Sequence, residues 1–360
     1  MKPQPVSILH HKYSLEDGHV TAQISKVDSY RGIMLSYSSR KANMSTPFSN
    51  VVSVDDIREN PQLIKQLNVA AVHVHHGSLA PRFLFLKERY GLPLFVGFRG
   101  KDATAFPKNK ANLQQLRKVF QTGDMFFPVC NHLKREIVRL GCPEEKVRVL
   151  YGGVDLSRFK MRPRAPKEGR PIRFLAIGRF VEKKGFTDLI RAFAIVREKH
   201  KQVNLVLIGE GPCEAEYRKR IRKLQLKDSI RIVPWVHYRK IHETYHRSHI
   251  FCAPSRTDRE GNQEGIPNTL KEAMATGMPV ISTSHAGIPE LITHGESGLL
   301  VPEHGVKELA AAMNWMVEHP ETWEQFGLHA RHKVERDFNL TRQLEKQREF
   351  YDEIIRKKTE

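Results

Sequence analysis

Ile172-Arg-Phe-Leu-Ala-Ile177-Gly178-Arg179 is followed by Leu189, Ile190, Phe193 and Val196 at helical spacing, then by Asn204-Leu-Val-Leu-Ile208-Gly209-Glu210-Gly211. An apolar run, an amphipathic stretch and a second apolar run predict a strand, a helix and a parallel strand. The rhythm continues in Ile230–Val233, Ile250–Ala253, Pro279–Ser282 and Leu299–Val301. It recurs less cleanly upstream, in Val6–Leu9, Ile33–Tyr37, Val69–Val74, Leu94–Phe98, Met125–Val129 and Val147–Tyr151. Strands alternating with helices predict α/β architecture, with parallel sheets covered on both faces. Between the two series, Arg158–Arg173 holds seven basic residues and three prolines and reads as an inter-domain linker. The expectation is two facing, Rossmann-like, doubly wound domains, residues 1–160 and 171–339.

The length agrees: 360 residues at about 150 per domain give two cores. A 40% apolar and 28% charged composition excludes wholesale disorder and a polytopic membrane protein. No apolar run approaches the length of a spanning helix. Val6–Leu9 is too short for the core of a signal peptide. Cys130, Cys142, Cys213 and Cys252 are too scattered for a disulfide framework or a zinc knuckle, so a cytoplasmic location is expected. The net charge of +19 calls for an anionic partner. Residues 1–160 carry 24 basic and 13 acidic side chains, making this half the more basic per residue. Aromatics do not interleave with the basic runs as a nucleic-acid stacking platform requires. An anionic acceptor, or the inner face of a membrane held peripherally through Lys134, Arg135, Arg139 and the linker, is the favoured partner.

Ligands of open parallel sheets bind beyond the carboxyl ends of the strands. Polar and glycine residues gather there: Gly178-Arg179, Gly209-Glu210-Gly211, Pro234–His237, Ser255–Glu264 and Ser284–Gly287, with His73–Gly77 and Arg99–Asp102 in the first half. The densest segment is Glu264-Gly-Ile-Pro-Asn-Thr-Leu-Lys-Glu272, followed by Ala273–Pro279. Pro267 suits a first helical position, and Gly277 with Pro279 suits a helix stop. Backbone N–H groups at Gly265, Ile266 and Asn268 would then face an anion. Glu264 and Glu272, separated by roughly 12 Å on a helix, could bracket an elongated ligand.

These segments, with Gly178-Arg179-Phe-Val-Glu-Lys-Lys184-Gly185, Val280–Glu290, Gly295–Pro302, Val129–Lys134 and Gly141–Asp155, closely resemble glycosyltransferase family 4. The likeness is specific from about residue 125 to 305. It implies the GT-B fold, a retaining hexosyltransferase and a C-terminal helix, 340–360, that returns to the first domain. It also implies a nucleotide-sugar donor and a glycan, lipid-linked or small-molecule acceptor, in the setting of polysaccharide biosynthesis. Arg179 and Lys184 match the basic pair on the donor diphosphate, Glu264 the carboxylate near the donor sugar, and Glu272 the one on the ribose. Gly178, Gly209, Gly211, Gly265, Ile266, Pro267 and Asn268 match donor-binding backbone, and Val236 a contact with the base. A fixed guanidinium fork and a flexible ammonium can neutralise a leaving diphosphate without a metal, and no Asp-x-Asp motif stands out, so neither cofactor nor metal is expected.

In the first half, Val72-His73-Val74-His75-His76-Gly77 resembles the family's His-x-His strand end. His73 and His75 share one face, and His75 is expected to contact the transferred sugar. Phe98-Arg99-Gly100-Lys101-Asp102 resembles an acceptor-side segment, with Arg99 where histidine is common and Asp102 open to either acceptor binding or helix capping. No companion carboxylate or cysteine set makes the histidines a metal site. The loop after Leu9 has one glycine, Gly18, where the family has several. Competing classes are a GT-B sugar phosphorylase or nucleotide-sugar epimerase, and a basic nucleic-acid-binding protein.

Overall fold

The computed structural model describes residues 6–11, 18–36 and 50–356. The chain forms two compact units: one runs to Gly153 and includes the segment from Leu340, and the other is Val154–Asn339. In the first, the strands are β1 (Val6–His11), β2 (Tyr30–Ser36), β3 (Val51–Ser53), β4 (Val69–Val74), β5 (Leu94–Phe98) and β6 (Met125–Pro128). They pair in parallel in the order β3-β2-β1-β4-β5-β6. In the second unit the strands are β7 (Ile172–Ile177), β8 (Val203–Ile208), β9 (Ile230–Val233), β10 (Ile250–Ala253), β11 (Val280–Thr283) and β12 (Leu299–Val301). Their order, β12-β11-β10-β7-β8-β9, is the same doubly wound pattern, again wholly parallel. Strand order reverses once in each sheet, between β1 and β4 and between β7 and β10. Connections there leave toward opposite faces and open a crevice at the strand ends.

Burial on both faces explains the unbroken apolar runs. Phe174, Leu175 and Ala176 of β7 are buried, and the helix Phe186–Lys199 lays Leu189, Ile190, Phe193 and Val196 on the sheet. The helix Val306–Glu318 adds Leu309, Met313 and Met316 to the same core. In the first unit, Ile8, Ala71, Phe95, Met125 and Phe127 form a core closed by Tyr351 of the C-terminal helix Leu340–Arg356. Truncating such residues to alanine typically costs about 2–5 kcal/mol.

Two sequence expectations change, and one strand is added. Val147–Tyr151 is not a sheet strand: it donates from Arg148 and Leu150 to β6 but forms only a single bridge, Val147 to Phe126. β3, a three-residue edge strand with Val51 exposed, lacks an apolar run long enough to announce it. The linker is anchored in the second unit, where Arg164 donates to the carbonyls of Ser248 and Thr276 and to the Thr276 hydroxyl, at 2.6–3.1 Å. Burial pulls the Arg164 pKa down to about 10.

The basic surface is also less free than its composition implies. Lys134 pairs with Glu144 and Arg139 with Glu136, both at 2.8 Å. Among the described residues, no helix is long and apolar enough to cross a membrane. The four cysteines are free thiols. Residues 12–17, which hold most of the expected glycine-poor segment after Leu9, together with Tyr37, Lys358 and the chain end, lie outside the described residues.

Candidate active site

The loop leaving β7 is shaped by contacts that only glycine permits. The chain passes Gly178 and Arg179, makes a single helical turn over Glu182–Lys184, and reverses at Gly185 with φ +67°. A Cβ at Gly185 would stand 1.8 Å from the Pro254 carbonyl oxygen, so the turn must press against the end of β10. That contact brings Lys183 and Lys184 into the β7/β10 crevice. Arg179 is exposed on the same loop, and its positive charge is felt by Lys183.

Glu264 completes the cluster. Its carboxylate lies 2.9 Å from Lys184 Nζ and 3.5 Å from Lys183 Nζ, and all three side chains are largely buried. Burial alone would raise the Glu264 pKa, yet the two ammoniums hold it well below the usual carboxylate range. Burial pulls Lys183 down, and Glu264 opposes this. The result is a buried, ionised carboxylate between two cations, an arrangement that survives desolvation only through close pairing. Lys183 was not singled out from the sequence. Two adjacent lysines look equivalent there, and only the tight turn turns both inward.

The following helix is Asn268–Ala275, one residue shorter at its start than expected, with Pro267 in the capping position. Thr276 and left-handed Gly277 (φ +70°) end it, as the glycine–proline signal predicts. Gly265, Ile266 and Pro267 are buried, and among the described residues neither the Gly265 nor the Ile266 N–H has an acceptor. Thr269 Oγ1 donates to the carbonyl of Ile177 at 3.2 Å, tying this helix to the end of β7. One turn on, buried Glu272 accepts a 2.8 Å hydrogen bond from Tyr245. Burial raises the Glu272 pKa to about 7, opposed by the Tyr245 bond and the charges of Lys271 and Arg158. Arg158 lies over the Tyr238 ring, 4.7 Å from its centroid. This polar-aromatic corner could receive a hydroxylated ring. Tyr245 and Arg158 were missed because they come from distant segments.

Gly209 reads differently in space. A Cβ there would stand 1.9 Å from the Gly178 carbonyl oxygen, so glycine is required for the β7 and β8 loops to touch. Gly211 meets the Phe180 carbonyl in the same way, at 2.6 Å. Val236 is half-buried beyond β9, next to exposed Trp235, whose N–H donates to Glu210.

The first unit's crevice is built from imidazoles. His75 follows β4 directly and is only 1% exposed. Its ring stacks on His73 at 3.9 Å, confirming their shared face. Arg99 donates from Nε to the His75 carbonyl at 2.8 Å, and its Nη2 lies 3.3 Å from His75 Nδ1. A guanidinium only donates, so Nδ1 accepts and His75 Nε2–H points at His10 Nδ1, 3.0 Å away. His10, His73 and His75 bring ring nitrogens within 4.8 Å of one another, a donor set for a divalent ion. The guanidinium beside His75 opposes a second cation there. Asp102 proves to be a backbone anchor: fully buried, it accepts N–H bonds from Arg99, Gly100 and Gly77 at 2.9 Å each. Its carboxylate is committed to the loop's backbone, which answers to the capping alternative and not to acceptor binding.

Residues 157–333 match the family described as Glycosyl transferases group 1, and residues 28–158 match Glycosyltransferase Family 4. The glycosyltransferase WcaL of Salmonella typhimurium is 35% identical over 260 residues, 68% of this chain and 63% of its own length. The amylovoran biosynthesis glycosyltransferase AmsK of Erwinia amylovora is 32% identical over 263 residues, 73% of this chain and 64% of its own length. The chain thus spans less than two thirds of either relative. Among solved structures, HepE of Anabaena in complex with UDP superposes with a TM-score of 0.80 at 15% identity, covering 97% of this chain and 100% of that one. Sucrose-phosphate synthase of Thermosynechococcus elongatus gives 0.78 at 16% identity, covering 98% and 99%. These two likenesses establish the fold. Matched along nearly all of both units, the chain belongs to glycosyltransferase family 4, among the group 1 glycosyl transferases of GT-B fold.

Proposed function

We propose that the protein transfers a sugar from a nucleoside-diphosphate donor to an acceptor hydroxyl, with retention of anomeric configuration, during assembly of a polysaccharide. The observation that carries this is the buried Glu264 carboxylate held ionised between Lys183 and Lys184 at the β7/β10 crevice. Exposed Arg179 and the acceptor-less N–H groups of Gly265 and Ile266 add positive potential beside it. A diphosphate entering there would meet Arg179 and Lys184, while Glu264 accepts hydroxyls of the sugar. Glu272, held by the Tyr245 hydroxyl, would receive the ribose, with Val236 near the base.

In the reaction the acceptor oxygen bonds to the anomeric carbon as the bond from that carbon to the diphosphate breaks. The electron pair leaves on the diphosphate, where Arg179 and Lys184 stabilise it. The acceptor proton passes to a donor phosphate oxygen on the same face, so no protein base and no metal is required. His75, being almost fully buried, is assigned no sugar contact in this reading.

A uridine diphosphate sugar is the first donor to test, because solved HepE structures of the same fold hold UDP and UDP-glucose. The AmsK relative, named for amylovoran biosynthesis, supports a growing saccharide as acceptor. An anionic acceptor, lipid-linked or free, suits the net charge, and we place the work at the cytoplasmic membrane face. The deciding experiment follows nucleoside diphosphate release with and without saccharide acceptors. Release that depends on the acceptor supports transfer. Release that needs inorganic phosphate, or interconversion of the donor sugar without release, would indicate a phosphorylase or an epimerase.

A further inference from the structure

Behind Glu264 lies a pair of side chains that takes no part in the reading above. His285, two residues after β11, is fully buried, and Glu303 lies two residues after β12. His285 Nε2 stands 3.1 Å from the backbone N of Glu264, and its Nδ1 stands 2.7 Å from Glu303 Oε1. The second Glu303 oxygen accepts the Thr257 N–H at 2.7 Å.

The proton positions follow from the partners. A backbone N–H can only donate, so Nε2 accepts and carries no hydrogen. The imidazole proton is therefore on Nδ1 and is donated to Glu303, which fixes the tautomer. A carboxylate orienting an imidazole in this way is the usual means of aiming a ring whose other nitrogen has work to do. The backbone supports the arrangement. Ala286 adopts φ +48°, uncommon for a residue with a Cβ, and Gly287 N–H returns to the Gly265 carbonyl at 3.2 Å. Three loops, after β10, β11 and β12, are thereby tied at one imidazole.

We infer that His285, oriented by Glu303, is a positioning residue that fixes the main chain of Glu264 and so aims its carboxylate at Lys184. The catalytic meaning rests on the donor role proposed for Glu264, whereas the positioning itself is measurable with no substrate present. Removing the imidazole leaves a buried N–H without an acceptor and lets the 262–266 loop open. A side chain that returns one acceptor near the Nε2 position keeps the loop closed.

The test compares the whole protein with the His285→Leu and His285→Gln variants by amide hydrogen exchange, with unfolding midpoints measured alongside. In His285→Leu, exchange over residues 262–266 accelerates about tenfold while the 172–200 region keeps its wild-type rate. In His285→Gln the wild-type rate at 262–266 is largely restored. Nitrogen NMR of the wild-type imidazoles reads the tautomer directly. It should show His285 protonated at Nδ1 and bare at Nε2, the resonance being assigned by its loss in His285→Gln. Unchanged exchange at 262–266 in His285→Leu, acceleration spread evenly over the unit, or an Nε2-protonated tautomer would overturn the inference. A donor panel that fails while these results hold overturns only the assignment of Glu264 to the sugar.

Discussion

At the β1/β4 reversal three imidazoles meet, and at the β7/β10 reversal a carboxylate meets two ammoniums. The strand order around the two crevices is the same. Burial is met differently in each. In the first unit it pulls His10 down to about 3 and His73 well below its ordinary range, so these rings stay neutral, His10 hydrogen-bonded to His75 and His73 to the Tyr351 hydroxyl. In the second, the same desolvation is overcome by pairing, and Glu264 stays ionised. Topology delivers loop ends to a crevice, and side-chain choice decides whether the crevice stores charge. A carboxylate paired with two ammoniums suits a site that must also meet a leaving diphosphate.

Breaking the charged side has the largest expected effect. Lys184→Ala should lower acceptor-dependent nucleotide release on the order of 10²-fold, the usual loss for one transition-state charge partner. The unfolding midpoint should move little, because Lys183 remains beside Glu264. Breaking the histidine side should do the reverse. Asp102→Ala strands the N–H groups of Gly77, Arg99 and Gly100 and should cost roughly 2 kcal/mol of stability, read by denaturant unfolding. Nucleotide binding by the folded protein should be unchanged.

The Glu272 site sharpens the contrast, because it lies in the charged unit yet is about half-protonated at pH 7. Glu272→Ala should weaken nucleotide-sugar binding about tenfold through the lost ribose contacts. With its pKa raised to about 7, the carboxylate is mostly protonated at pH 6 and mostly ionised at pH 8. Only the ionised form offers both oxygens as acceptors. Affinity for an intact nucleotide sugar should therefore rise about fivefold from pH 6 to pH 8 in the wild type, and stay flat in Glu272→Gln. Calorimetric titration at both pH values reads this smallest of the effects.

Much of this was legible in the sequence where the signal is local. Ile172–Ile177, Ile230–Val233, Ile250–Ala253 and Leu299–Val301 were strands with the expected ends, because two-sided burial writes itself as an apolar run. The helix stop at Gly277 was legible because a left-handed residue after a helix needs glycine. The misses are tertiary. Lys183 differs from Lys184 only by the turn that buries it, and His285 meets Glu303 across 18 residues. For Asp102 the sequence leaves acceptor binding and capping open, because the three backbone donors around it come together only in the fold. The glycines at 209 and 211 were noticed, but what they allow is contact between neighbouring loops.

The most direct test of the charged crevice is ligand-observed binding across uridine, guanosine and adenosine diphosphate sugars, without added divalent metal, on the wild type, Lys184→Ala and Glu272→Ala. One donor should bind the wild type, and each variant should weaken it by about tenfold. Binding of none of them, or binding of one with unchanged affinity in both variants, would contradict a donor site built on Lys184, Glu264 and Glu272.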